Sequence, residues 1–302
     1  GAGFFSQKMG LREKDSKYFD ELERVLYNGA LGSVSKKGDT YAYKNELTHK
    51  TNRGRWAWNG TPCCPPMFLK MMAAIPSYVY SVGDNELYVQ LFVQSDADLK
   101  VGGKDVKLSQ KTKYPHDGKV GITLDSDVKD LALKIRIPSW ARGIENPYGL
   151  YEPTTAATPV TASLNGRALD MELQDGYLVI KRDWRKGDKI ELNLPMQPRW
   201  VRAHPRAEEL VGQRAVMRGP VVYSLEQVDN PLFLALWFDT REPLSARLDK
   251  DVLGGTWVVE GTALDKEMKP IKFKAIPFYL LGNRGDKNGY RTWSWAYPPR
   301  NQ

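Results

Sequence analysis

Cysteine and histidine are both scarce: two and three, respectively, in 302 residues. Two cysteines exclude the disulfide framework that holds small secreted domains together, and leave the cellular compartment undetermined. The three histidines, His49, His116 and His204, are scattered, with His116 next to a predicted turn and His204 between arginines and prolines. No run of about eighteen apolar residues is present, so no membrane-spanning helix is predicted. There is neither an initiator methionine nor a signal-peptide pattern. Gly1-Ala-Gly-Phe-Phe5 reads as the interior of a longer chain, with any targeting signal expected upstream. A dense basic run is also missing. The net charge is +8, yet 44 lysines and arginines are interleaved with 36 acidic residues. The richest patch, Lys181 to Lys189, contains two aspartates and reads as solvated surface, not as a nucleic-acid footprint. What remains, 41% hydrophobic and 26% charged, is ordinary for a folded protein with room for two or three domains.

The two cysteines are adjacent, in Trp58-Asn-Gly-Thr-Pro-Cys63-Cys64-Pro-Pro-Met67. A relaxed disulfide needs Cα atoms about 4.4–6.8 Å apart on differently directed backbone, which neighbours do not offer. Two prolines follow, then apolar residues at helical spacing: Phe68, Met71, Met72, Ile75, Val79 and Val82. Proline is tolerated in a first turn, where its missing N–H has no intrahelical partner. The thiols therefore stand at a helix start, where the dipole favours thiolate, the form that attacks carbon or binds a soft metal. The competing reading is two small buried residues at a helix entry. Zinc needs about four ligands. With two soft ligands here, either the others lie upstream of Gly1 or no metal site exists.

A helix is predicted after Asp15 or Ser16, with Phe19, Leu22, Leu26 and Ala30 on its apolar side and Glu23 at the border of that stripe. Lys36–Asp39 is a turn and Thr40–Lys44, which includes Tyr43, a short extended piece. At Gly83-Asp-Asn85 the period changes to two, and short strands recur between turn signals, among them the hairpin pair Asn165-Gly166. The expected class is α+β: a helical part over residues 1–82, then mostly antiparallel β-sandwiches. The expected domains are a first sandwich of residues 83–196 completed by 289–302, and a second, inserted, of 197–288.

Trp58-x-Gly60-x-x-Cys63-Cys64-Pro65-Pro66, preceded by Glu23-Arg24-x-Leu26-Tyr27-Asn28-Gly29, resembles the C-terminal half of the cysteine-dependent β-L-arabinofuranosidases, glycoside hydrolase family 127, and the related family 146. Arg136-Ile-Pro-Ser-Trp140-Ala, Trp184-x-x-Gly187-Asp188, Arg218-Gly219-Pro220-Val-Val-Tyr223 and Ala275-Ile-Pro277-Phe-Tyr279 carry the resemblance through the β part. It implies an (α/α)₆ barrel, here only its C-terminal segment, followed by β-sandwiches. It also implies hydrolysis of plant-type arabinosides with retention, Cys63 being the nucleophile and Cys63 and Cys64 binding Zn²⁺. The glutamate acid/base and the remaining zinc ligands would lie upstream. Glu23 matches a glutamate near the family's active site, and Tyr43 and Trp58 match sugar-contacting positions. Met67 stands where the family usually has asparagine. The alternative reading is a non-catalytic carbohydrate-binding or structural β-sandwich protein that keeps the motif.

Overall fold

Asp15 accepts a hydrogen bond from the Lys17 amide at 2.9 Å and so starts a helix where the sequence places one. This is α2 (Lys17–Val25); α1 (Ala2–Glu13) precedes it and ends at Lys14, which is in the left-handed region at φ 55. Gly10 is required in α1 because a Cβ there would meet the Phe19 ring at 2.5 Å. Phe19 and Leu22 pack with Tyr78 and Leu91. Helix α3 (Cys64–Ala74) and a single turn, α4 (Pro76–Val79), complete the α-helical content of the described residues. Pro76 opens that turn, the interruption its missing N–H dictates. The computed structural model describes residues 1–51, 54–57, 63–146, 148–285 and 287–298. Among them the chain is mostly β with few helices, and no helix is long and apolar enough to cross a membrane.

The chain divides into two units. The first comprises residues 1–23, 71–143 and 157–196. It holds a six-stranded sheet, in the order 167–168, 161–164, 189–193, 119–124, 104–112, 95–101, and a five-stranded sheet, in the order 173–174, 177–184, 128–136, 86–89, 80–82. Burial alternates along Lys119–Leu124, with Val120, Ile122 and Leu124 inside, as a two-residue period demands. Asn165 and Gly166 both take positive φ, 50° and 79°, and form the expected two-residue hairpin turn. All pairings in this unit are antiparallel except Glu86–Val89 alongside Ala132–Ile135. Ser95–Val101 is a strand the sequence does not announce. It is the edge of its sheet and buries fully only Val101, so its side chains carry no apolar stripe.

Glu86 ties this unit together. Its carboxylate lies 2.6 Å from the Lys134 ammonium and 3.3 Å from that of Lys14, and accepts from the Tyr88 hydroxyl at 2.7 Å. Lys134 is the main reason its pKa falls from 4.5 to about 2. A carboxyl depressed in the folded state stabilises above its unfolded value and loses that contribution as pH falls towards its folded value. The stability difference between wild type and Glu86→Gln should therefore be full above about pH 5 and shrink as pH drops towards about 2. Urea midpoints of the two proteins across that range measure it. A constant difference would contradict the assignment.

The second unit comprises residues 24–70, 144–156 and 197–302. Among its described residues eleven strands form one sheet, and the pairing of Gln213–Arg218 with Val221–Glu226 closes six of them into a ring: 221–226, 270–277, 256–264, 237–239, 294–297 and 213–218. Ring closure removes exposed edges. Its core holds Trp200, Val216, Tyr223, Leu225, Phe238 and Phe273. Asn28 fixes the chain after α2 to this sheet, donating to the Pro220 carbonyl and accepting from the Val222 amide, each at 2.8 Å.

Two expectations need correction. Of the expected segment 289–302, the described residues 289–298 do not complete the first sandwich. Tyr290–Arg291 pairs with Leu225 and Glu226 and with Thr48–His49, and Ser294–Tyr297 pairs with Gln213–Arg214 and Phe238–Asp239. A period of two identifies a strand but not its neighbour, which packing at long range selects. Residues before 82 are also less helical than expected. After a π-type turn (Leu26–Ala30) the described residues show no α-helix before Cys64, and bridges run from Tyr41 to Val34 and to Trp56. Gly29, Gly32 and Gly38 and the polar stretch beyond them supply no helical stripe.

Candidate functional site

Cys63 immediately precedes α3, and its carbonyl accepts from the Met67 amide at 3.3 Å, the first bond of the helix. Pro65 and Pro66 occupy the first turn, where they remove no needed donor. The two sulfurs lie 3.5 Å apart as free thiols, Cys63 exposed and Cys64 half-buried. The Tyr43 hydroxyl is 3.6 Å from the Cys63 sulfur. These contacts sort the thiols. The Cys63 pKa is lowered, first by the Tyr43 hydroxyl and then by the Cys64 thiol, with amides at the helix start adding to both. Cys64 is raised because it acts as donor to Cys63 and is partly desolvated. Tyr43 is raised for the same reason and stays a donor. Cys63 is the thiol that ionises first.

Tyr43 reaches this position through a small β arrangement. Tyr41 and Trp56 exchange backbone bonds at 2.8 and 3.0 Å, and the Ala42 amide donates to the Ser33 carbonyl at 2.7 Å. Tyr43 then meets Trp56 edge-on at 6.0 Å between centroids, and Tyr41 meets Phe68 of α3 at 6.3 Å. Tyr43 and Trp56 are 51% and 48% exposed, forming an aromatic rim beside the thiols. The sequence signals Trp56 only by its place in the loop before the cysteines, and the pairing with Tyr41 is what brings it in. Trp58 lies outside the described residues. Met67 is 44% exposed in the first turn of α3.

Glu23 sits deeper than the border position the sequence suggests. Its side chain is buried in the first unit, where Oε1 accepts from Arg136 at 2.6 Å and from the Tyr114 hydroxyl at 2.8 Å. Among the described residues this carboxylate is enclosed and engaged by an arginine and a tyrosine. The helical spacing put Glu23 at the stripe's border, and the partner that buries it comes from more than a hundred residues away.

Among the described residues no group of three or more His, Cys, Asp or Glu side chains could hold a metal ion. The two sulfurs are soft donors at a workable separation, about half the set zinc requires. His49 is engaged elsewhere, with Glu46 at 3.4 Å and Thr51.

Three successive segments of the chain match family models. Residues 1–77 match the catalytic domain of the β-L-arabinofuranosidases of glycoside hydrolase family 127, residues 86–196 its middle domain, and residues 198–294 its C-terminal domain. The chain belongs to glycoside hydrolase family 127. A non-reducing end β-L-arabinofuranosidase of Bifidobacterium longum subsp. longum is 30% identical over 322 residues, 93% of this chain and 46% of that protein. Among solved structures, a family 127 β-arabinofuranosidase superposes with a TM-score of 0.92 at 33% identity, covering 98% of this chain and 48% of that one. A family 127 β-L-arabinofuranosidase from Geobacillus stearothermophilus T6 gives 0.87 at 30% identity, with the same coverage. This chain thus spans about half the length of these relatives. The C-terminal-domain match extends to residue 294, in keeping with the pairing of Tyr290 and Ser294 inside the second unit.

Proposed function

We propose that this chain is the C-terminal portion of a retaining glycoside hydrolase acting on β-L-arabinofuranosides, with Cys63 as its nucleophile. The observation that carries the proposal is the exposed Cys63 thiol at a helix start, contacted by Tyr43 and Cys64 in a way that favours thiolate. A thiolate at this position attacks the anomeric carbon; a carbon–sulfur bond forms while the glycosidic oxygen leaves with a proton from a general acid. Water, deprotonated by the same group, then displaces the sulfur from the opposite face, returning the thiolate and releasing the sugar with its configuration retained. The acid/base belongs to the part of the enzyme preceding Gly1, as does the rest of an (α/α)₆ barrel to which α1, α2 and α3 contribute.

Tyr43 and Trp56 offer aromatic faces to the apolar side of the sugar ring, and Trp58 is assigned the same task by the family resemblance. Cys63 and Cys64 would hold a zinc ion together with ligands from the preceding segment. Zinc, when bound, keeps a coordinating thiol deprotonated. The substrate is accordingly an arabinose-containing glycan.

Hydrolysis of 4-nitrophenyl β-L-arabinofuranoside by the full-length protein tests this reading. Proton NMR of the first-formed product should show the β anomer. An initial α product, or turnover of the α-L-arabinofuranoside instead, would overturn it.

A further inference from the structure

The second unit carries a cavity of ≈ 640 Å³ that shares no residue with the thiol pair. It is bordered by Trp237, Trp295, Arg214, His204, Arg202 and Glu152. Trp237 and Trp295 project side by side because their strands run parallel, with Phe238 opposite Ala296 in register. Their rings stack at 5.9 Å between centroids and 27° between planes. Gly212, at φ 77, brings only hydrogens to the neighbouring side of Trp295; a Cβ would meet the ring at 3.2 Å. Trp295 remains 42% exposed. A tryptophan in the closed ring of strands would ordinarily be covered, or its N–H bonded. Among the described residues neither indole N–H of this pair has a hydrogen-bond partner.

The polar border narrows the ligand class. Arg202 binds one oxygen of Glu152 through Nε at 2.8 Å and Nη2 at 2.5 Å, so the two charges compensate. Arg214 is 8% exposed and donates to the Gln213 carbonyl at 2.8 Å. His204 accepts from the Arg206 amide through Nδ1. This leaves Glu152 Oε1 as an acceptor and His204 Nε2 as a donor, without partners among the described residues. An apolar aromatic ledge beside the compensated Arg202–Glu152 pair, with a few unpaired donors and acceptors, suits a neutral polyhydroxylated ring: C–H bonds against the indoles, hydroxyls to the border. We propose that this groove binds a neutral oligosaccharide and holds glycan chains to the enzyme. The inference does not depend on the chemistry at Cys63.

Affinity electrophoresis of the full-length protein through gels containing soluble arabinan, arabinoxylan or arabinogalactan, with dextran as a hexose control, tests it. Retardation is expected in at least one pentose-containing gel, and Trp295→Ala and Trp237→Ala should each weaken it about ten-fold. In the full-length protein Trp295→Ala should leave hydrolysis of the small aryl arabinofuranoside unchanged, a readout that separates this groove from the proposed active site. If either variant fails to fold, indole N–H resonances of the wild-type chain carry the test, with those of Trp237 and Trp295 expected to shift on titration with arabinan oligosaccharides. No retardation in any gel, full retention by folded variants, or unmoved indole resonances would each overturn the proposal.

Discussion

Cys63→Ser in the full-length enzyme should lower kcat on an aryl β-L-arabinofuranoside by on the order of 10³-fold or more. The reason is the attacking group. A serine hydroxyl at neutral pH is almost entirely protonated, whereas the Cys63 thiol is lowered by the Tyr43 hydroxyl and the Cys64 thiol. The fold should survive, because Cys63 is exposed and the change is one atom. Cys64→Ser should behave differently: the thiol it removes is half-buried and raised, so its loss should act mainly through metal affinity and through the hydrogen bond to Cys63. Excess zinc should restore activity to Cys64→Ser in part and to Cys63→Ser not at all. Wild-type turnover by Cys63→Ser would remove the basis for a cysteine nucleophile.

Arg136→Met should destabilise the chain by about 3–5 kcal/mol, the usual consequence of stripping the cation from a buried ion pair. Arg136 is fully buried. Its Nη1 reaches Asp20 at 2.5 Å, Nη2 reaches Glu23 at 2.6 Å, and Nε donates to the Gln90 carbonyl at 2.5 Å. Asp20 keeps Arg142 at 3.0 Å and the Ser139 amide at 3.2 Å after the substitution; Glu23 keeps only the Tyr114 hydroxyl among these partners. Glu23 is therefore the group left most exposed to desolvation. Adding Glu23→Gln to Arg136→Met should recover part of the loss, since the amide carries no buried charge. Urea unfolding of the single and double variants decides the matter; equal stability of Arg136→Met and wild type would show that the cluster contributes nothing net.

Arg136 also shows what the sequence conveys and what it withholds. Its strand is plain from the alternation of Leu131, Leu133 and Ile135, and α2 is plain from Phe19 and Leu22. That the two elements exchange buried charges is not readable, because the partners are 113 and 116 residues apart. The burial of Glu23 is accordingly not legible from its place on the helix. The thiol pair was legible for the opposite reason: Cys63, Cys64 and the two prolines are contiguous, and the helix start follows from proline chemistry alone. Only the family resemblance points to Tyr43, since its short extended segment carries no site signal of its own. Trp56 needed the bridge to Tyr41, a pairing between two short polar segments that carry no periodic signal. The last strands went wrong at the level of partners. Ser294 and Ala296 face inward while Trp295 faces out, so the largest residues did not mark the buried side.

Mass spectrometry of full-length enzyme quenched with acid during turnover of a slowly hydrolysed arabinofuranoside with a good leaving group tests the central claim most directly. A cysteine nucleophile places one pentosyl unit on the peptide containing Cys63, and Cys63→Ser abolishes the adduct without abolishing substrate binding. A pentosyl unit on an aspartate or glutamate, with Cys63 unmodified under the same quench, would contradict the account.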